Sequence, residues 1–163
     1  MALLQGGQYA GNLTVKLNFD VTIDASLDTV WAAFDDPDNK RHWQTNFQAY
    51  QHKSGEPGQP GSVAELTFNE NGKIVVLNET ITERRDKSFF AATYESIHGT
   101  THIVNRFEDA GSGQTRWTSW CKFSFNGFMR VMSLFVGGVI RKRTEADMQR
   151  FKLMVETNEA GSA

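Results

Sequence analysis

"FMRVMSLFVGGVIRKR", residues Phe128 to Arg143, decides the fold, because a membrane anchor, a strand-turn-strand and a buried helix all compete for it. A membrane span needs about 20 mostly apolar residues, and this run reaches about half of that before Arg141, Lys142 and Arg143 interrupt it. Nothing from Phe128 to about Asn158 breaks a helix apart from Gly137 and Gly138. The following segment, "TEADMQRFKLMVE", spaces Met148, Phe151 and Val155 as one helical face with charges between them. One long C-terminal helix is therefore expected. Each glycine costs a helix interior about 1 kcal/mol relative to alanine, so the pair needs a local reason. The missing side chains would open space for a ligand beneath the helix or admit close backbone approach.

Upstream of that helix, the stretch from "FQAYQHKSG" to "CKFSFNG" reads as successive strands separated by turn chemistry: "GEPGQPG", "NENGK", "RRDKS", "IHGTT" and "EDAGSGQ". Asn71 and Gly72 form a two-residue hairpin signal, since both tolerate positive φ. The whole reads as an antiparallel meander. Further upstream, "TVKLNFDVTID" alternates, with Val15, Leu17, Phe19, Val21 and Ile23 on one face. "ASLDTVWAAFDD" offers Ser26 as an N-cap, Asp28 in the positive first turn, and Val30, Trp31, Ala33 and Phe34 as an apolar stripe. Asp36 caps a second short helix with Pro37 at its first position, where a missing N–H costs nothing. The order strand, two short helices, meander, long helix makes an α+β domain.

The chain has 163 residues, 39% hydrophobic and 22% charged, which suits one domain, with its core at about 13–157. A net charge of -2 without a long basic block excludes the electrostatic footprint of a nucleic-acid binder. The start, "MALLQGGQYAG", has no basic leader or sustained apolar region, and the single cysteine, Cys121, suits a reducing compartment, so a cytoplasmic location is expected. The triplets "NLT" at Asn12 and "NET" at Asn78 then read as chance matches inside strands.

"VTIDASLDTVWAAFDDPDNKRHW", "NETITERRDKSFFAATYE", "NRFEDAGSGQTRWTSWCKFSF" and the closing helix together resemble the START-related helix-grip superfamily, in its polyketide cyclase/dehydrase and lipid-transport branch. The resemblance runs from about Val15 to Val155, and its motifs specify shape rather than chemistry. It implies a helix-grip fold: a curved antiparallel sheet of six to seven strands wrapped around the C-terminal helix, with a cavity between them. Members bind lipids, sterols, polyketides, hormones or other apolar molecules, and only some are enzymes.

In such a cavity the inward polar residues carry the interest, because a buried polar group needs a partner or a ligand. Glu79 shares parity with Leu77 and Ile81, and a carboxyl among aliphatics suits a general acid or base for enol and keto chemistry. The opposite parity would leave it exposed or paired with an arginine. Tyr94 shares parity with Phe90 and Ala92 and is either a ligand-holding hydroxyl or a core tyrosine bonded to backbone. Asn105 and Ser119 repeat the pattern on the next two strands and would make a polar stripe. Glu79 and Tyr94 are the candidate catalytic pair. Trp43, Phe90, Asn105, Phe107, Trp117, Ser119, Phe123, Phe135 and Gly138 are the candidate ligand contacts.

Cys121 has no neighbouring base in sequence and reads as a small core residue. His98 and His102 flank a hairpin tip without a third ligand, so neither a metal nor another cofactor is expected. The "RKR" run reads as a solvated helix face. Trp120 falls on the outer sheet face with Arg116, Thr118, Lys122 and Ser124, where a homodimer contact is one reading. Three functions follow: a binder of a hydrophobic small molecule, a cyclase or dehydratase using Glu79 and Tyr94, and an interaction module working through Trp120.

Overall fold

The computed structural model describes residues 14–126 and 129–160, and for residues 129–136 and 159–160 it describes the backbone alone. Phe128 lies outside the described residues, as does the side chain of Phe135.

Strand β1 (Thr14–Ile23) buries Leu17, Phe19, Val21 and Ile23 and exposes the polar residues between them, as the alternation requires. Helix α1 (Leu27–Asp35) starts where Ser26 Oγ accepts from Thr29 N at 3.2 Å, with Asp28 in its first turn. Its buried face is Val30, Trp31 and Phe34. A 3-10 turn (Pro37–Asn39) follows, with Asp36 Oδ1 accepting from Asp38 N at 2.9 Å, and runs into the single-turn α2 (Lys40–Trp43).

The meander comprises β2 (Phe47–Ser54), β3 (Val63–Glu70), β4 (Lys73–Arg85), β5 (Phe89–Ser96), β6 (Gly99–Gly111) and β7 (Gln114–Phe125). The sheet order is β1-β7-β6-β5-β4-β3-β2, and every neighbouring pair is antiparallel. Asn71 and Gly72 turn β3 into β4 with φ of 54° and 85°, the left-handed pair that a two-residue hairpin requires.

Helix α3 (Met129–Ala160) lies in the curve of this sheet as a 32-residue element. It buries Met148, Phe151 and Val155, the face expected from their spacing. Around Phe151 the inner ends of the elements build an aromatic base. Trp117 meets Phe151 at 5.1 Å and stacks on Phe107 at 5.7 Å; Phe34 contacts Phe107 at 4.9 Å, and Trp43 lies edge-on to Phe151 at 5.3 Å. Offset and edge contacts of this kind add about 0.5–1.5 kcal/mol each beyond area burial. This cluster plugs one end of the space under the helix.

The two glycines have different surroundings. A Cβ on Gly137 would meet Val15 Cγ1 at 3.5 Å, an ordinary contact with β1, whereas one on Gly138 would meet nothing within 4 Å. Gly138 is exposed. It does not face the space beneath the helix, because the helix turns Ile140 and Thr144 toward that space instead. No helix among the described residues is long and apolar enough to cross a membrane.

Candidate functional site

Above the aromatic base, the sheet and α3 bound a half-open cavity of about 590 Å³. Strands contribute to it by parity: Leu66 and Phe68 from β3, Val75 and Leu77 from β4, Phe90 and Tyr94 from β5, Ile103 and Asn105 from β6, and Trp117, Ser119, Cys121 and Phe123 from β7. Helix α3 closes it with Ile140, Arg143, Thr144, Asp147 and Met148. The turns at 71–72 and 97–98 lie at one end of the meander, and the exposed Lys73 and His98 beside them mark the mouth.

Glu79 is 3% exposed, on the inward face of β4 between Leu77 and Ile81. In the β4–β5 register it stands directly opposite Tyr94, whose hydroxyl donates to Glu79 Oε2 at 2.5 Å. Tyr94 lines the cavity, while Glu79 sits behind it rather than in the wall. Burial, and after it the Glu79 carboxylate, push the Tyr94 hydroxyl well above its ordinary value, so it keeps its proton and acts as a donor. Tyr50 on β2 is raised by the same two causes in the same order. Glu79 has no arginine or lysine partner among the described ion pairs.

The polar stripe forms on the next two strands, where Asn105 and Ser119 are register partners and both are buried. Trp117 Nε1 donates to Asn105 Oδ1 at 2.9 Å, which fixes the amide and turns its N–H groups away from the indole. Ser119 Oγ lies 3.8 Å from Cys121 Sγ, and burial pushes the Cys121 thiol up to about 11, so this cysteine is no nucleophile at neutral pH.

Of the expected contacts, Trp43, Phe90, Asn105, Trp117, Ser119 and Phe123 come together in the cavity wall with Tyr94. Phe107 does not: it is 2% exposed and packs beneath Trp117 in the aromatic base. Gly138 faces outward, as described above.

Sequence patterns did not reveal a polar clamp at the cavity edge. Arg150 Nε donates to the Trp43 carbonyl at 3.0 Å, Arg143 donates to the Thr45 carbonyl at 2.7 Å, and Asp147 Oδ1 accepts from Thr45 N at 3.1 Å and Thr45 Oγ1 at 2.5 Å. Arg150 also reaches Thr45 Oγ1 and Asp147, and Arg143 pairs with Glu70 at 2.5 Å. The "RKR" run is thus only partly a solvated face, since Arg143 ties α3 to β3 and to the segment after α2. Charge spacing within one helix carries no sign of such partners; they are set by where β3 and residue 45 arrive in space.

Comparison with known proteins places this architecture. A sequence model described as polyketide cyclase/dehydrase and lipid transport matches residues 14–156. The fold is similar to the Zhui aromatase/cyclase from Streptomyces sp. R1128, at a TM-score of 0.72 and 15% identity over 88% of this chain and 94% of that one. It is similar to a START superfamily protein from Mycobacterium smegmatis, at 0.71 and 13% over 87% and 97%. A third similar structure, TTHA0849 from Thermus thermophilus, gives 0.73 and 14% over 91% and 100%. No curated protein matches the sequence.

Proposed function

Because the chain belongs to the polyketide cyclase/dehydrase and lipid transport family, we propose that it binds a hydrophobic or aromatic small molecule in the cavity between the sheet and α3. The family and fold are compatible with both hydrophobic ligand binding and cyclase activity. The observation that carries the binding reading is the cavity itself. It has about 590 Å³ of space, mostly aliphatic and aromatic walls, and a few polar atoms held in fixed positions. Those are the features of small-molecule sites. Affinity would come mainly from apolar burial, at about 25 cal/mol per Å² removed from water, and orientation from Tyr94, Asn105 and Ser119.

A titration with Nile red tests it. The wild-type protein gives saturable binding with a blue-shifted emission, and Ser119→Trp, which fills the cavity, loses it while keeping its far-UV circular dichroism. An absence of saturable binding by the wild type would contradict the proposal.

A second reading is favoured by one contact, the hydrogen bond from Tyr94 to Glu79. A cyclase or dehydratase needs a group at the wall that gives or takes a proton at an enol oxygen. The Tyr94 hydroxyl holds that place: its oxygen would take a proton from an enol O–H while its own hydrogen, already bonded to Glu79, passes to the carboxylate behind it, so that Tyr94 stays neutral and Glu79 ends protonated. Positioning a folded chain in the cavity supplies the remaining advantage. Turnover of a linear poly-β-ketone to a cyclic product would fall in Tyr94→Phe and Glu79→Gln; activity retained in both variants would remove these two residues from the chemistry.

A further inference from the structure

The Asn105 amide is committed on one side only. The indole Nε1 of Trp117 has a hydrogen to give and no lone pair to accept with, so the amide atom facing it at 2.9 Å is the carbonyl oxygen. The other atom, Nδ2, then carries two N–H groups without a hydrogen-bond partner among the described residues. Asn105 is 5% exposed and lines the cavity. Among the described residues, the unpaired side-chain atoms that are sealed off are Trp43 Nε1 and Gln44 Oε1. The Asn105 amide nitrogen is not one of them, so its N–H groups open on the cavity.

Ser119 stands beside it. The two residues are register partners on β6 and β7, which sets their Cβ atoms about 5 Å apart, and both line the same wall. The one described hydrogen-bond contact of Ser119 Oγ is Cys121 Sγ at 3.8 Å. Burial keeps the proton on that thiol at neutral pH, and a protonated thiol satisfies the contact as its donor, which leaves the serine hydrogen free to turn into the cavity. The pair lies deep. Counted from Tyr94, which stands opposite Thr101, Asn105 is four residues along the ladder, about 13 Å toward the aromatic base and away from the mouth.

Resting on the cavity's reading as a ligand site, we propose that Asn105 Nδ2 and Ser119 Oγ form a donor pair for the carbonyl oxygen of a neutral apolar ligand, such as an aryl ketone, which enters carbonyl end first. A carbonyl oxygen has two lone pairs in its plane and takes one hydrogen from each residue. A hydrocarbon of the same shape strips water from both donors and gives them nothing in return. A carboxylate brings a charge to a place without a counter-charge: the inward neighbours of the pair in the ladder are Phe90, Ile103, Phe107, Trp117 and Cys121.

The test is isothermal titration of the intact chain with 2-acetylnaphthalene and with 2-isopropenylnaphthalene, in which a methylene replaces the carbonyl oxygen. Burial alone favours the alkene, so a preference for the ketone reports hydrogen bonding. The donor pair predicts that the ketone binds about tenfold tighter than the alkene. Ser119→Ala and Asn105→Leu should each reduce the ratio of ketone to alkene affinity severalfold. With an isotope-labelled carbonyl, the infrared stretch of the bound ketone should lie below its value in hexane, and Ser119→Ala should move it part of the way back. A merely structural role for Ser119 leaves that frequency unmoved.

An alkene that binds the wild type as tightly as the ketone overturns the donor pair without touching the cavity's reading, and this comparison requires no variant to fold. An undiminished ratio in Ser119→Ala, with the carbonyl stretch unmoved, places the carbonyl elsewhere and also overturns it. Failure of both probes to bind the wild type overturns the ligand-site reading and the donor pair with it.

Discussion

Tyr94 and Glu79 face each other across the β4–β5 ladder, and the tyrosine hydroxyl donates to the buried carboxylate at 2.5 Å. A buried carboxylate with a tyrosine as its one described donor depends on that donor. Tyr94→Phe should therefore destabilise the protein by about 1–3 kcal/mol, the cost of leaving a buried polar group unmatched. Adding Glu79→Leu should recover part of the loss, since removing both partners is cheaper than removing one. Urea unfolding of the two single variants and the double variant measures this, with the midpoint moving and the slope unchanged.

Stability should fall at alkaline pH. Tyr94 and Cys121 are acids that hold their protons more tightly in the folded state, Tyr94 through burial and Glu79, Cys121 through burial, from 9.0 to about 11. The folded chain then binds more protons than the unfolded one, so stability is intact below about pH 9 and is lost as pH rises through about 11. The Cys121 share corresponds to about 3 kcal/mol. Urea midpoints from pH 7 to 11 should decline above pH 9, and Cys121→Ala should decline less steeply over the same range.

The clamp at the cavity edge should act on one short segment. Asp147→Ala removes the acceptor of the Thr45 amide, and Thr45 amide exchange should accelerate by at least about tenfold while the amides of β6 and β7 keep their protection. Uniform acceleration throughout the sheet would mean that Asp147 supports global rather than local stability.

Gly137 and Gly138 should tolerate side chains. A Cβ on Gly137 makes an ordinary contact with Val15, and one on Gly138 enters open space. Replacing both with alanine should stabilise α3 by about 1–2 kcal/mol through helix propensity. Gly138→Leu should leave ligand capacity unchanged, and a reduced capacity would mean that this face of the helix does reach the ligand.

Much of the fold was legible because it rests on local patterns. The period-two alternation of β1, the Ser26 and Asp36 caps, the Asn71–Gly72 turn and the helical face of Met148, Phe151 and Val155 each appear where the sequence places them. Parity also brought Glu79 and Tyr94 inward, since no bulge intervenes between them in the ladder. Beyond Ile81 the register of β4 shifts, and Arg84, in the "RRDKS" that reads as a turn, instead belongs to the end of β4, pairs with Asp35 at 2.5 Å and lies 5.2 Å from the Trp31 ring. Parity counted from the sequence cannot anticipate that slip.

What sequence could not show is long-range in origin. Phe107 has the same parity as Asn105 yet packs under Trp117, because α1 brings Trp31 and Phe34 down onto it. The partners of Arg143, Asp147 and Arg150 lie about 70 to 107 residues away, and the unmatched atoms of Trp43 and Gln44 become visible only once every neighbour has a position. Gly138 departs from its expected place for a related reason: helix composition gives a glycine's cost, and only docking gives the direction it faces.

The central claim, that the space between sheet and α3 is a ligand site, is tested most directly by a backbone amide NMR titration with 2-naphthol. The account predicts saturable shift changes at Trp43, Gln44, Phe90, Tyr94, Ser119 and Phe123, with the outer-face residues Asn18, Asp20 and Trp120 unmoved. Shifts confined to the outer face, or none at ligand saturation, would contradict it.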